Sequence, residues 1–126
     1  MSKTFAAIAA VSLLLASTAA FAQAAKVADT PAGKAYVDAK GMTLYTFDKD
    51  SAGKSACNGP CATNWPPLMA GADAKPSGDW TIVTRDDGSK MWALKGKPLY
   101  TFAKDTKPGD TTGDGFLNGA WHIAKP

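Results

Sequence analysis

The sequence has little of the chemistry on which enzymes rely. It contains one histidine, His122, and two cysteines, Cys57 and Cys61. There is no Gly-x-Ser-x-Gly stretch, no second histidine, and no pair of carboxylates whose spacing suits acid and base roles. Ala62 follows Cys61 at the position where a haem-attachment motif requires histidine. We therefore expect a non-enzymatic protein with no catalytic residues and no cofactor.

The chain also lacks a strong charge of either sign. Its formal net charge is +3 at pH 7, and the lysines stand singly among aspartates instead of forming a basic tract. A surface that binds nucleic acid or anionic lipid concentrates basic residues, because it must attract phosphate groups. We expect no nucleic acid among the partners of this protein. Its partner is otherwise unknown, and an envelope protein is the class that we keep open.

A long hydrophobic run is missing as well. The apolar stretch at residues 5–16 is shorter than the roughly 20 residues that a membrane-spanning helix needs. It follows Lys3 and precedes Ala20-Phe21-Ala22, which has the form of a signal-peptidase site. We expect a signal peptide over residues 1–22, no transmembrane segment after cleavage, and a periplasmic or secreted domain over residues 23–126. No cysteine near the cleavage site offers a thiol for lipid attachment.

What the sequence does contain is a duplication. Residues 41–50 return, little changed, as residues 96–105, and seven of the ten positions are identical. Such self-similarity is the sequence signature of a repeat architecture. We expect a single domain of two repeats, covering about residues 34–67 and 89–126.

Each copy predicts a β-hairpin. Residues 34–38 and 42–48 alternate polar and apolar side chains on either side of a Lys-Gly turn, and residues 91–94 and 98–103 do the same in the second copy. Tyr45 and Phe47 should share one face of their strand, since side chains in a strand alternate.

The segments around the hairpins complete a mainly β fold. Residues 80–103 predict a three-stranded meander, residues 119–124 predict a last short strand, and residues 23–34 are interpreted as a loose lead-in. No helical stripe runs through residues 23–126. Because an isolated hairpin is marginally stable, we expect both hairpins to share one small core with pseudo-twofold symmetry, leaving long glycine-rich loops.

The repeated motif carries a family resemblance. Each copy contains a Y-x-F-x-x-D motif, and the first copy continues with Cys57-x-Gly59-x-Cys61 and then Trp65-Pro66-Pro67; the motif residues are Tyr45, Phe47, Asp50, Tyr100, Phe102 and Asp105. This combination resembles the bacterial secreted-repeat family of predicted lipoproteins with a Y-x-(F/W/Y)-x-x-D motif. The resemblance implies an extracytoplasmic protein of tandem short repeats and implies no particular activity.

Two roles are open for the motif. In the first, the two rings supply apolar surface to the core, and the aspartate at the end of the strand accepts backbone N–H bonds and fixes the following loop. In the second, both motifs contribute rings and carboxylates to one ligand groove across the pseudo-twofold axis.

The two cysteines predict a disulfide, because a signal peptide directs them to an oxidising compartment. The bridge would hold the turn between Cys57 and Cys61 and present the Trp65-Pro66-Pro67 segment as an exposed contact surface. The alternative is a copper-binding or thiol-redox protein, in which both thiolates act together with His122 or with a methionine, namely Met42, Met69 or Met91. The sequence thus predicts a small binding or interaction module of unknown ligand, with this metal or redox role as the alternative.

Overall fold

The computed structural model describes residues 25–126. The predicted signal peptide, residues 1–22, lies outside the described residues.

The chain is mainly β, as the sequence predicted, and its strands form three small antiparallel sheets. The sheets pair β1 with β2, β3 with β7, and β4 with β5 with β6 in that order. The elements in chain order are β1 Ala25–Thr30, β2 Gly33–Asp38, β3 Tyr45–Phe47, α1 Pro60–Asn64, β4 Trp80–Thr84, β5 Lys90–Leu94, β6 Lys97–Pro98, α2 Phe116–Gly119 and β7 Trp121–Ile123. Within residues 25–126, no helix has both the length and the apolar character needed to span a membrane.

The prediction of a loose lead-in over residues 23–34 is wrong for the part that the structure describes, which begins at residue 25. Residues 25–30 form β1, which pairs with β2 along its whole length, from Ala25 opposite Asp38 to Thr30 opposite Gly33. The Thr30 hydroxyl closes the turn by donating to the Gly33 carbonyl at 2.7 Å and accepting from the Ala32 N–H at 3.1 Å. Gly33 has a φ of 104°, which glycine adopts without steric cost.

The meander predicted over residues 80–103 is present as β4-β5-β6. Its second turn is the Lys95-Gly96 pair, and both residues have positive φ, 53° and 83°. Two successive residues with positive φ are typical of a type I′ turn. The twist of this turn matches the twist of the two strands that it connects.

In the first predicted hairpin, the second strand pairs with a different strand from the one expected. Residues 34–38 and 42–48 touch through a bridge between Val37 and Thr43, but β3 itself pairs with β7 at the end of the chain. Ala124 also donates to the Leu44 carbonyl at 2.8 Å. The tail of the second copy therefore occupies the backbone groups that the first copy was expected to pair within itself.

The same exchange occurs in the opposite direction. Leu68, at the end of the first copy, donates to the Leu99 carbonyl at 2.9 Å, and Trp92 donates to the Leu68 carbonyl at 2.8 Å. At the centre, Tyr45 and Tyr100 exchange both backbone hydrogen bonds, at 2.7 and 3.0 Å. The two repeats are thus interlocked about a pseudo-twofold axis, and each completes the other.

Two clusters of buried side chains form the core. The larger one contains both motif tyrosines and both motif phenylalanines together with two tryptophans. A smaller cluster on the other side of the Tyr-Thr-Phe strands joins Leu44 and Leu99 with Ala25 and Ala124. Because side chains of an extended chain alternate, Leu44 and its neighbour Tyr45 enter different clusters.

Candidate functional site

The repeated motif forms hydrogen bonds across the two copies. The Tyr45 hydroxyl donates to Oδ2 of Asp105 at 2.6 Å, and the Tyr100 hydroxyl donates to Oδ2 of Asp50 at 2.7 Å. Both tyrosine side chains are fully buried. Each tyrosine thus reaches the aspartate of the other repeat, which the sequence did not indicate.

The second oxygen of each aspartate holds the loop that follows it. Oδ1 of Asp50 accepts the Ala56 N–H at 2.6 Å, and Oδ1 of Asp105 accepts the Thr112 N–H at 3.0 Å. One carboxylate therefore joins its own loop to the tyrosine of the other copy. This geometry places the rings of the motif in the core and makes its aspartates the anchors of the following loops.

Burial changes the acid–base behaviour of these groups. It raises the pKa of the Tyr45 and Tyr100 phenols above their ordinary value, and the facing carboxylates of Asp105 and Asp50 raise it further. Burial also raises the pKa of Asp50, against the opposing effects of the Tyr100 hydroxyl and the Ala56 N–H. Both phenols therefore remain protonated donors at neutral pH.

Four aromatic rings stack through the centre of the molecule. Trp65 and Trp121 lie face to face with centroids 3.7 Å apart, Phe47 covers the outer face of Trp121 at 4.2 Å, and Phe102 covers that of Trp65 at 4.1 Å. Since each tryptophan ends one repeat, the stack is itself pseudo-symmetric. It joins the two copies through apolar contact area that aromatic rings supply in large amounts.

The predicted contact surface at Trp65-Pro66-Pro67 is wrong for Trp65, which is only 5% exposed. Pro66 and Pro67 are half-buried. The segment turns inward because Thr101 donates to the Pro66 carbonyl at 2.8 Å and Pro67 bridges Tyr100. The residues after α1 therefore behave as a strand of the other copy and direct the indole into the core.

One glycine allows the stack to close. A Cβ atom added to Gly113 would lie 2.6 Å from Cη2 of Trp65 and 3.0 Å from Cδ2 of Phe102. Real Cβ atoms do not approach aromatic carbons so closely, so this position requires glycine for space.

Cys57 and Cys61 form a disulfide, as predicted. The loop that they close is held from the other repeat by Arg85, whose Nη2 donates to the Cys57 carbonyl at 2.8 Å and whose Nη1 donates to Oγ of Ser55 at 3.1 Å. Because the Tyr100 hydroxyl donates to Asp50, Ser55 must donate to Tyr100 across their 2.6 Å contact. A single chain of donors thus runs from Arg85 to Asp50.

The residues of the copper alternative are not gathered in one place. His122 is hydrogen-bonded to Asp48, and the thioether of Met91 accepts from Arg85 at 3.5 Å. Among the described residues, no group of three or more histidine, cysteine, aspartate or glutamate side chains could hold a metal ion. Copper binding stays a prediction without geometric support from His122.

A surface site lies on the outward face of β3 and β7. His122 lies opposite Thr46 in the strand pairing, and its Nε2 is 2.8 Å from Oδ2 of Asp48. Because a carboxylate only accepts hydrogen bonds, Nε2 is the donor. Asp48 lines three surface cavities, and His122 lines one of them together with Asp48.

The cavity that both residues line is a groove of about 380 Å³. Leu94, Leu99 and Ile123 supply its apolar floor, and polar groups line about as much of its surface. Three lysines border it, and we call the whole surface the Asp48 groove, defined by Thr46, Asp48, Lys95, Lys97, His122 and Lys125. Its size falls within the range of small-molecule sites.

The lysines give the Asp48 groove a positive rim. Lys95 and Lys97 are exposed, and neither has a carboxylate partner at ion-pair distance within residues 25–126. The backbone fixes where they project, since Lys95 occupies the left-handed region at φ 53° in the turn before β6. Asp48, already bonded to His122, is the acidic residue among those that line the groove.

The fold and its central motif define a small β protein made of two interlocked copies of one repeat. Protein-family models match the chain to a family described as a secreted repeat of unknown function (Lipoprotein_15), over residues 26–69 and again over residues 81–125. The chain therefore belongs to this family, and the resemblance found in the sequence is confirmed. Neither the curated proteins nor the solved structures contain a significant match.

Three functional candidates were not found by sequence reasoning. Arg85 is the chain's one arginine among many lysines, which is the signal that could have drawn attention to it. Gly113 had no such signal. Asp48 occupies a position where the second copy has alanine, so comparing the copies for differences would have included it.

Proposed function

We propose that this protein is a secreted binding module and that its ligand occupies the Asp48 groove. The observation that carries the proposal is the groove that Asp48 and His122 line together, beside lysines without ion-pair partners in the described chain. Small-molecule sites are concave and mostly apolar, with a few polar groups that orient the ligand. The apolar floor and the charged rim supply both features.

The construction of the groove favours a preformed site. Thr46 comes from the first copy, while Lys95, Lys97 and His122 come from the second, so the walls are held together by the interlocked core. Preorganised walls reduce the ordering cost that binding imposes. Because its walls come from both copies, the groove forms only when the two repeats are present together.

The balance of charge indicates the ligand. Lys95, Lys97 and Lys125 border the floor, and Asp48 is engaged by His122. A ligand with an anionic group and a compact apolar body matches this arrangement. The compartment in which it would be met is the periplasm or the cell exterior, and the mature chain purified from there should begin at Gln23.

The test uses 8-anilinonaphthalene-1-sulfonate, an anionic probe with an apolar ring system, in a fluorescence titration of the folded protein. The Lys95→Gln/Lys97→Gln variant should bind it about tenfold more weakly, equivalent to about 1.4 kcal/mol. The matched control is Lys26→Gln/Lys104→Gln, which removes the same charge from exposed positions outside the groove.

The control should leave the dissociation constant within about twofold of the original. Binding in the unmodified groove should weaken as salt is raised, because exposed charges are screened. Equal losses in the two double variants would mean that overall charge alone attracts the probe. No loss in either would mean that the probe does not use the groove, and both results contradict the proposal.

A further inference from the structure

Arg85 is a buried cation beside the disulfide. It is 6% exposed, and its guanidinium donates to the Cys57 carbonyl, the Ser55 hydroxyl, the Asn58 side chain and the Met91 thioether. All four acceptors are neutral. The hydrogen-bonding capacity of the group is used, but its charge is not balanced by any of these atoms.

No carboxylate within residues 25–126 lies at ion-pair distance, 4.0 Å or less, from Arg85. The acidic groups around it are Asp50, reached through Ser55 and Tyr100, Asp86, which accepts from Asn58, and Asp87. None of these carboxylates contacts the guanidinium directly, so they offset only part of the cost of burying its charge. An anion that formed beside Arg85 would therefore be stabilised.

Cys57 and Cys61 differ in accessibility. Cys57 is fully buried and its carbonyl is bonded to Arg85, whereas Cys61 is half-buried in the first turn of α1. A thiolate arriving from solvent reaches Cys61 more readily, and attack there expels the sulfur of Cys57. The leaving thiolate then forms in the neighbourhood of the buried guanidinium.

The second repeat shows that the loop can be built without a disulfide. Asp105 anchors the loop of that copy through the Thr112 N–H, just as Asp50 anchors the first loop through Ala56, and the second loop has no cysteine. Its Trp121 reaches the same stack as Trp65. Positioning the tryptophan in the stack therefore does not by itself require the bridge.

We propose that Cys57–Cys61 is a redox-active disulfide that oxidises dithiols, with Arg85 stabilising the Cys57 thiolate. A substrate thiolate attacks Sγ of Cys61, forming a mixed disulfide and breaking the Cys57–Cys61 bond. The second substrate thiol then displaces Cys61, giving the substrate disulfide. Two electrons pass from the dithiol to the protein, Cys61 takes one proton, and the other is released while Cys57 remains a thiolate. This activity is separate from ligand binding in the Asp48 groove.

The first test is equilibration of the folded protein with mixtures of reduced and oxidised glutathione, followed by acid quenching, alkylation and intact-mass analysis. The pair should be reduced and reoxidised within accessible glutathione ratios, unlike structural disulfides, which the glutathione pool leaves oxidised. Arg85→Gln should shift the equilibrium at least tenfold toward the disulfide, and Arg85→Lys should restore most of it. Lys54→Gln, which removes an exposed cation from the same region, should have no effect.

The second test is the thiolate absorbance of the reduced protein near 240 nm as a function of pH. One thiol should ionise well below the ordinary cysteine range near 8.5, and Arg85→Gln should return it to that range. A wild-type protein that stays oxidised at every glutathione ratio, or whose thiols both ionise at or above about 8.5, overturns the proposal. Both of these results are obtained with the wild type alone. They therefore decide the question even if circular dichroism shows that Arg85→Gln does not fold.

Discussion

The exchanged Tyr–Asp bonds can be tested by a double-mutant cycle. Tyr45→Phe removes only the hydroxyl that donates to Asp105 at 2.6 Å, and Asp105→Asn keeps the shape of the acceptor while removing its charge. If the two groups form one interaction, the double variant should lose less stability than the two single losses combined. The control cycle combines Tyr45→Phe with Asp50→Asn, which pairs residues of the same copy.

The size of the effect follows from burial. Asp105 is 6% exposed, and the Tyr45 hydroxyl also accepts the Gly113 N–H at 3.3 Å, so its removal leaves both groups short of a partner. Hydrogen bonds to charged groups contribute about 1.5–3 kcal/mol, and we expect Tyr45→Phe to cost about 2–3 kcal/mol. The coupling within the exchanged pair should be about 1–2 kcal/mol, against less than about 0.5 kcal/mol in the control cycle.

The measurement is urea unfolding of all variants, with the m-value checked for constancy. An equivalent cycle on Tyr100 and Asp50 should give a similar coupling, because Tyr100 donates to Asp50 at 2.7 Å. Strong coupling between Tyr45 and Asp50, with none between Tyr45 and Asp105, would refute the interlocked arrangement. It would instead favour two repeats that each satisfy their own motif.

Three further predictions concern the core. Gly113→Ala should destabilise the protein by about 1–3 kcal/mol in urea unfolding, because the added Cβ overpacks against Trp65. The control is Gly71→Ala, where an added Cβ meets nothing within 4 Å, and it should change the stability by less than about 0.5 kcal/mol. Tyr45→Ala and Tyr100→Ala should each cost about 3–5 kcal/mol in thermal or urea unfolding, because both rings are fully buried. Both phenols have a pKa raised above 10.0, so their stabilisation is fully present below that pH and is lost above it as the unfolded phenols ionise first. Above pH 10, each of the two tyrosines should lower the free energy of unfolding by about 1.4 kcal/mol per pH unit. A Phe variant at either position removes one of these two contributions and should therefore halve their combined slope.

The sequence was sufficient for the elements whose information is local. The Lys95-Gly96 turn and the meander around it follow from alternation and turn chemistry, and the cysteine pair follows from its compartment. It was not sufficient for the pairing between copies. Equivalent residues in a duplication have the same local pattern whether each tyrosine bonds its own aspartate or the other one, and this choice depends on long-range contacts.

Trp65 shows the same limit and also a missed signal. A tryptophan before two prolines and after a disulfide turn has the local pattern of an exposed loop, yet its backbone neighbours pair with residues 101–103 of the other copy. The second copy also runs from its motif aspartate to a tryptophan, Trp121, inside a predicted strand. Applying the symmetry of the repeats to both tryptophans would have predicted that Trp65 is buried.

The symmetry of the core also determines where function can differ between the two halves. Asp48 donates its N–H to the Ala120 carbonyl at 2.8 Å, and Ala103 makes the matching bond to Asn64 at 2.8 Å, so these two positions are structural equivalents. The equivalent of Asp48 therefore has no carboxylate, so the Asp48–His122 pair has no counterpart at Ala103.

The disulfide is confined to one half in the same way, since the second loop has neither cysteine. The Y-x-F-x-x-D motif, by contrast, is used identically in both copies to join them. A residue that serves the same structural bond twice gives no reason for one-sided chemistry. The Tyr-Thr-Phe strands are therefore the scaffold, and the places to look for activity are the two asymmetric features that they support, the Asp48 groove and the Arg85–disulfide pair.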